Sequence, residues 1–430
     1  MYIAHTNSYL CLTIFNEFNL TTKKTNKLKI LNDPIYGFIT IPNALIFDLI
    51  EHPYFQRLRR VSQMGLSNMV YPGAHHTRFH HAIGAMYLMQ NAVRVLRFKE
   101  VEISEDEETA IYVAILLHDI GHGAFSHALE HSIVAGISHE EISLRFMEAL
   151  NEEFDGELKL AIQIFKNEYH KGFLHQLISS QLDMDRLDYL KRDSFYTGVS
   201  EGNVNSERLI AMLNVKQDKL VVEEKGIYSV EKFLFARRLM YWQVYLHKTG
   251  LAAEAILMKI LKRAKELVLN GEKLNTSLAL NYFLINKIDN SNFDFVTLNI
   301  FAQLDDYDVL SGIKDWANHS DKILSFLCKM IVDRKLMKIQ LQKEPFDKQY
   351  IIDMKESVQK KFNISNDEID YFFIYDKVSN QAYNSIRNQI HILYKDGSLK
   401  ETAEASDQLN LKALSTTVVK HFICYPKTWF

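Results

Sequence analysis

The stretch AILLHDIGHGAFSH, residues 114–127, closes an apolar run with an adjacent His118–Asp119 pair. Ala114 to Leu117 are apolar, so the pair stands at the buried end of a helix, where an ionisable pair is costly unless a partner satisfies it. A metal ion is the partner that suits a neutral imidazole and a carboxylate together. His122, His127 and His139 follow closely, a density that packing alone does not explain.

The rest of the 430-residue chain is long enough for a large core in two or three subdomains. With 47% apolar and 24% charged residues and little Gly or Pro, it reads as an ordinary globular protein, mostly helical. A net charge of -3 argues against a general polyanion-binding surface, so nucleic acid is not an expected partner and phosphate affinity must come from a local basic pocket. Three distant cysteines (Cys11, Cys328, Cys424) without CxxC spacing exclude a disulfide framework or thiolate zinc site and fit a reducing cytoplasm. No apolar run reaches membrane-spanning length, and residues 1–28 read as a poorly ordered leader without a cleavage signal.

Along the chain, KILNDPIYGFITIP (29–42) alternates around an Asp-Pro break and predicts a short strand pair. Helical spacing starts near Asn43 and runs through HPYFQRLRRVSQMG to Gly65. Further helices are expected at 78–98, 105–119, 139–153, 157–166, 174–193, 206–213, 230–248 and 250–270. Between 206–213 and 230–248, KLVVEEKGIYSV predicts a hairpin turning at Lys225-Gly226. Strands rich in β-branched and aromatic residues are expected at 369–375, 389–395 and 418–425, forming a small C-terminal sheet.

Four residues assemble into one metal constellation. His81 lies near the start of the helix in HHTRFHHAIGAMYLM, His118 and Asp119 end the next long helix, and Asp185 comes from DMDRLDYLKRD. Taken singly, each reads as an ordinary buried hydrogen-bonding group; together, two imidazoles and two carboxylates suit a six-coordinate divalent ion with positions open to water and phosphate. His122, four residues after His118, shares its helical face if the turn continues through Gly121. His127 and His139 reach the same cleft if the loop folds back, and an unligated histidine can protonate an alkoxide at neutral pH.

Asp185, Tyr189 and Asp193 fall at i, i+4 and i+8 of one helix. Arg237, Tyr241, Tyr245 and Lys248 form a second stripe, of cations and phenols without a carboxylate, which favours an anionic ligand over plain solvation. Arg78, three residues before His81, adds a cation on the metal side.

On these residues the chain resembles the HD-domain deoxynucleotide triphosphohydrolases, especially the SAM-and-HD-domain dNTPase branch and its bacterial relatives. The matching text is KILNDPIYG, HPYFQRLRRVSQMG, YPGAHHTRFHHAIGAMYL, LLHDIGHGAFSH, SHEE, DMDRLDYLKRD and YLHK, across roughly residues 29–265. The resemblance implies a mainly α fold, with an HD-domain helical core over 29–270 and a C-terminal region, 271–430, of helices and a small β-sheet serving oligomerisation. It implies hydrolysis of a dNTP to deoxynucleoside and inorganic triphosphate, with His81, His118, Asp119 and Asp185 as ligands of a divalent Mg, Mn, Fe, Ni or Zn ion. By the same resemblance His122 and His139, with His127 close by, act at the α-phosphate and the 5′ oxygen. Arg78, Arg186, Tyr189, Arg237 and Lys248 hold the triphosphate, Asp193 and Tyr245 meet the 3′ side of the sugar, and Gln63 contacts substrate, with Tyr241 on the same stripe as Tyr245.

Three positions depart from the family pattern: Arg186 replaces a lysine, Met64 a leucine, and Glu51 an aspartate. Lys29, Asn32, Glu51, Gln56 and Arg59 match a regulatory nucleotide site between subunits of some relatives, which implies an activating nucleotide and a homodimer or homotetramer. No sterile-alpha-motif domain is expected ahead of the core. Two other functions fit the HD residues alone: hydrolysis of a cyclic dinucleotide, alarmone or monophosphate, and non-catalytic nucleotide sensing. The long match outside the HD residues argues against the former, and the intact ligand set gives no sign of lost catalysis.

Overall fold

The computed structural model describes residues 29–125, 134, 136–386, 388–407 and 414–427. The chain is mainly α-helical, with three small sheets among the described residues. Strands β1 (Ile30–Asp33) and β2 (Gly37–Thr40) pair antiparallel around the expected Asp-Pro turn. There the Asp33 carboxylate accepts from the amides of Ile35 and Tyr36 at 2.9 and 3.0 Å.

The helix expected from Asn43 to Gly65 is three pieces. Helix α1 (Ala44–Glu51) starts on the Asn43 side chain, then stops because the residue before a proline is pushed out of helical geometry. His52 is extended, and a single turn Pro53–Gln56 and a 3-10 turn Arg57–Arg60 follow. Helix α2 (Arg78–Phe98) is buried on nearly every side and forms the centre of the core. It packs against α3 (Glu105–Leu117), whose start is fixed by a Ser104/Glu107 capping box and four acidic residues in the first turn. Helix α4 (His139–Glu153) opens on a similar box from Ser138 and Glu141.

The expected helix 174–193 is two: α5 (Gly172–Ile178) and α6 (Met184–Thr197). Ser180 and Asp183 offer the backbone side-chain partners that compete with helix continuation. The Asp183 carboxylate accepts from the amides of Ser180 (2.7 Å) and Arg186 (2.8 Å) and so starts α6. Helix α6 lies along α2. The hairpin also differs from expectation. Its strands are β3 (Leu213–Lys216) and β4 (Lys219–Glu223), turning at Gln217 and Asp218, which both have positive φ as a tight hairpin turn requires. Lys225-Gly226 instead belongs to a 3-10 turn feeding α7 (Ile227–Met240). A π-helical turn, Tyr241–Tyr245, separates α7 from α8 (Lys248–Leu269).

The C-terminal strands do not form one separate sheet. Strand β5 (Lys338–Gln342) and β6 (Ile374–Asn380) flank β9 (Val418–Tyr425), whereas β7 (His391–Leu393) adds parallel to β4 and carries β8 (Leu399–Glu401). Residues 369–372, expected as strand, are a buried helical turn before β6; burial of Ile369, Tyr371 and Phe372 overrides their β preference. Among the described residues no helix is long and apolar enough to cross a membrane.

Candidate metal centre

Three elements bring the four expected ligands together. His81 sits one turn into α2, His118 and Asp119 follow the last residue of α3, and Asp185 lies in the first turn of α6. The Nε2 of His81 is 3.1 Å from an Asp185 oxygen and 3.8 Å from one of Asp119. The Nε2 of His118 is 3.4 Å from Asp119 and 3.5 Å from Asp185. Neither Nε2 has a hydrogen-bond partner, although both are buried.

Their tautomers are fixed from behind. The Nδ1 of His118 is 2.6 Å from the Ile115 carbonyl, and that of His81 is 2.8 Å from Asp188. Both acceptors require Nδ1 to donate, which leaves a bare lone pair on each Nε2 facing two carboxylates. His81, His118 and Asp119 are close enough to share an ion, Asp185 faces both imidazoles, and this mixed nitrogen and oxygen set fits a divalent cation; among the described residues no thiolate joins it to suggest a closed zinc site. Without a cation a proton takes its place. Burial opposes charge on His81, but the carboxylates of Asp185 and Asp188 outweigh it and raise its pKa to about 10. Burial likewise opposes ionisation of Asp119 and Asp185, and the surrounding histidines, with Arg78 beside Asp119, still hold both carboxyls below the usual range.

Behind the cage runs a buried chain of charges absent from the sequence-based site. Asp188 accepts from Arg192 at 2.8 and 3.0 Å, and Arg192 in turn donates to Asp33 at 2.8 Å. Gly84 makes room for it, since a Cβ there would lie 2.1 Å from the Arg192 guanidinium. Asp188 stands three residues after Asp185, and that spacing was its only signal. Arg57 is also fully buried and donates to the carbonyls of His122 (2.9 Å) and Ile120 (2.6 Å), holding the turn after Asp119.

The helix ends at Leu117, so His122 is not on the face of His118 by helical continuation. A tight turn places its Nε2 3.3 Å from Asp119, and its ring stacks on His139 at 3.9 Å and 16°. Gly121 permits this: a Cβ would lie 2.2 Å from the His139 carbonyl and 2.3 Å from the Ser143 amide, so α4 docks directly on the turn. Asp119, His122 and His139 are close enough to share an ion. Nearly parallel rings, however, keep their in-plane lone pairs from converging, and the pair suits proton transfer better than joint ligation. Burial, then Arg78, push the His122 pKa down to about 3, so its ring is neutral at neutral pH. Arg78 itself donates to Asp119 at 2.5 Å. His127 lies outside the described residues.

The other expected contacts gather on one side of the cage. The Tyr189 ring is 6.4 Å from His81 and 6.0 Å from Tyr245, which is 5.1 Å from Tyr241. The Tyr245 hydroxyl donates to Asp193 at 2.7 Å. Arg186 pairs with Asp183, whereas the Arg237 Nε and one terminal nitrogen, and the Gln63 carbonyl oxygen, are buried without a partner. The π-turn interrupts the stripe expected along one helix, so Lys248, an exposed residue, starts α8 instead of continuing α7. The five residues expected for regulation lie apart from the cage on α1, β1 and the turns beside them. Lys29, Asn32, Glu51 and Arg59 are exposed, the Arg59 guanidinium covers Phe79, and its Nε donates to Gln56 at 2.8 Å.

Residues 78–193 match the HD domain family, and residues 204–282 match the family described as HD associated region. The chain is 31% identical to the uncharacterized protein YwfO of Bacillus subtilis, over 89% of each chain. It is 29% identical to the deoxynucleoside triphosphate triphosphohydrolase SAMHD1 homolog of Dictyostelium discoideum, over 60% of this chain and 53% of that one. The crystal structure of a phosphohydrolase from Bacteroides thetaiotaomicron superimposes with a TM-score of 0.90 at 52% identity, covering 93% of this chain and all of that one. With this fold, this histidine–aspartate cage and these relatives, the chain belongs to the HD-domain family of metal-dependent phosphohydrolases.

Proposed function

We propose that the protein hydrolyses deoxynucleoside triphosphates to deoxynucleoside and inorganic triphosphate. The observation that carries this reading is the order of groups leading away from the cage. Tyr189 touches His81, Tyr245 touches Tyr189, and Tyr245 donates to Asp193, while two nitrogens of the half-buried Arg237 side chain are buried without a partner. A polar pair fit for a sugar hydroxyl and unpartnered cationic nitrogens thus lie on one side of a single metal-binding cage, as suits a nucleotide cleaved at its α-phosphate.

His81, His118, Asp119 and Asp185 would hold the divalent ion, which supplies charge withdrawal and orientation at the α-phosphate. Arg78, Arg186, Arg237 and Lys248 offset the triphosphate charge. Water adds to the α-phosphorus and gives one proton to the His122–His139 pair, the bond from phosphorus to O5′ breaks, and the pair passes a proton to O5′, so that it ends as it began. His122 starts neutral partly because Arg78 is near; phosphate on Arg78 offsets that charge and favours proton uptake. Gln63 and Tyr241 complete the substrate wall. We also assign Lys29, Asn32, Glu51, Gln56 and Arg59 to an activating nucleotide in a homodimer or homotetramer.

The test is product analysis with a dNTP panel and Mg²⁺ or Mn²⁺, with and without GTP or dGTP, while oligomer size is followed. Triphosphate and deoxynucleoside are expected. Orthophosphate or a monophosphate would refute the substrate assignment, and tight nucleotide binding without turnover under any metal would indicate a sensor.

A further inference from the structure

His76 has no part in the function so far, yet its side chain is completely buried against the substrate wall. Its Nε2 is 2.7 Å from one Asp193 oxygen, and the Tyr245 hydroxyl donates to the other at 2.7 Å. The imidazole lies flat on Tyr196, with centroids 4.4 Å apart and planes 13° apart. Its Nδ1 is buried without a partner. Nε2 must therefore carry the proton, since a bare Nε2 would face the carboxylate lone pair to lone pair. A residue kept only for packing would have no need of this nitrogen, because a phenylalanine would fill the same stack without an orphaned atom. The His76 carbonyl also accepts from the Gln63 amide at 3.1 Å, tying the same residue to a second part of the wall.

We infer that His76 is a positioning residue for sugar recognition. It locks the Asp193 carboxylate in one rotation, so that Asp193 and the Tyr245 hydroxyl meet the 3′ hydroxyl of a deoxyribose as a preset pair. Each carboxylate oxygen, already bonded once, keeps a lone pair for the sugar. Two fixed donors remove the freedom that Asp193 would otherwise lose on binding, which is how pre-organisation raises affinity. The line of contact continues through Tyr245 and Tyr189 to His81, so the sugar end is held at a set distance from the cage. The sugar as ligand rests on the function proposed above; the lock itself rests on the contacts.

The test is calorimetric binding of a 2′-deoxynucleoside and the matching 2′,3′-dideoxynucleoside to the full, metal-loaded chain. Wild type is expected to favour the hydroxylated ligand about tenfold or more, the order of one buried hydrogen bond to a charged group. H76F should bring that ratio below about threefold by weakening the deoxynucleoside alone, and H76Q, which keeps an N–H, should restore most of it. Equal weakening of both ligands, no change in H76F, or no preference in wild type would overturn the inference. If H76F does not fold, histidine-labelled wild type decides by NMR: the His76 Nε2–H signal must shift with the deoxynucleoside and not with the dideoxynucleoside. Hydrolysis of dNTPs is read in parallel. Its absence would remove the proposed substrate but leave the binding ratio, and hence the role of His76, open to measurement.

Discussion

Asp188 orients the His81 imidazole from behind the candidate cage. Its carboxylate receives the His81 Nδ1 proton and is in turn pinned by Arg192. Replacing Asp188 with Asn should weaken metal affinity about 10- to 100-fold, as loss of a group supporting a ligand commonly does, measured by competitive chelation. His122 makes a second prediction. Its folded pKa of about 3 lies below the unfolded value, so the unfolded chain binds the proton more readily. The stability it contributes is present above about pH 6.5 and is lost as pH falls toward 3. Histidine NMR of the metal-free protein should find His122 neutral at pH 5, and a midpoint between 6 and 7 would contradict its burial beside Arg78. The cage residues were legible in the sequence because buried His and Asp are rare enough to be conspicuous. Asp188, Arg192, Asp33 and His76 were not, because in sequence an ion-paired core residue looks the same as a charge on a solvated helix face.

At the scale of elements, the turn carrying His122 depends on how closely α4 approaches it. Gly121 donates its amide to the Ser143 hydroxyl, which donates to the His118 carbonyl. G121A should push α4 away, separate His122 from His139, and cost about 1–3 kcal/mol of stability as overpacking does. Thermal melts and dNTP turnover check it; wild-type values in both would show that the contact is dispensable. Long periodic helices such as 78–98 and 139–153 were readable because an apolar face and a capping residue agree. The breaks at Pro53 and at Ser180–Asp183 were harder, since helical spacing continues across them while backbone chemistry does not. The turn was assigned to Lys225-Gly226 on the strength of glycine, but Gln217 and Asp218 take positive φ instead. Pairing with β4 and β7 supplies what local preference lacks.

Across the whole molecule, residues near 305 reach back to the site. Asp306 accepts from the amides of Ser62 (2.8 Å) and Phe125 (2.9 Å), Asp305 pairs with Arg60, and the Leu304 carbonyl accepts from Arg57 at 3.4 Å. The C-terminal region thus braces both the segment before Gln63 and the segment after His122. D306A leaves the buried Phe125 amide and the half-buried Ser62 amide unpaired and should cost about 1–3 kcal/mol for the buried one, with activity lost well below the wild-type melting temperature. Sequence carried little of this, because contacts between residues more than a hundred positions apart leave no local pattern. The strand pairing of β7 with β4 across position 270 was hidden for the same reason. The activity proposed for the protein depends on one property, the capacity of His81, His118, Asp119 and Asp185 to bind a single divalent ion. Elemental analysis of the purified chain, beside the D185A variant, tests it directly: about one ion per wild-type chain and none in D185A, with turnover lost in parallel, is expected. A wild-type chain that turns over substrate after exhaustive chelation, or a D185A chain that keeps both its ion and its activity, would contradict it.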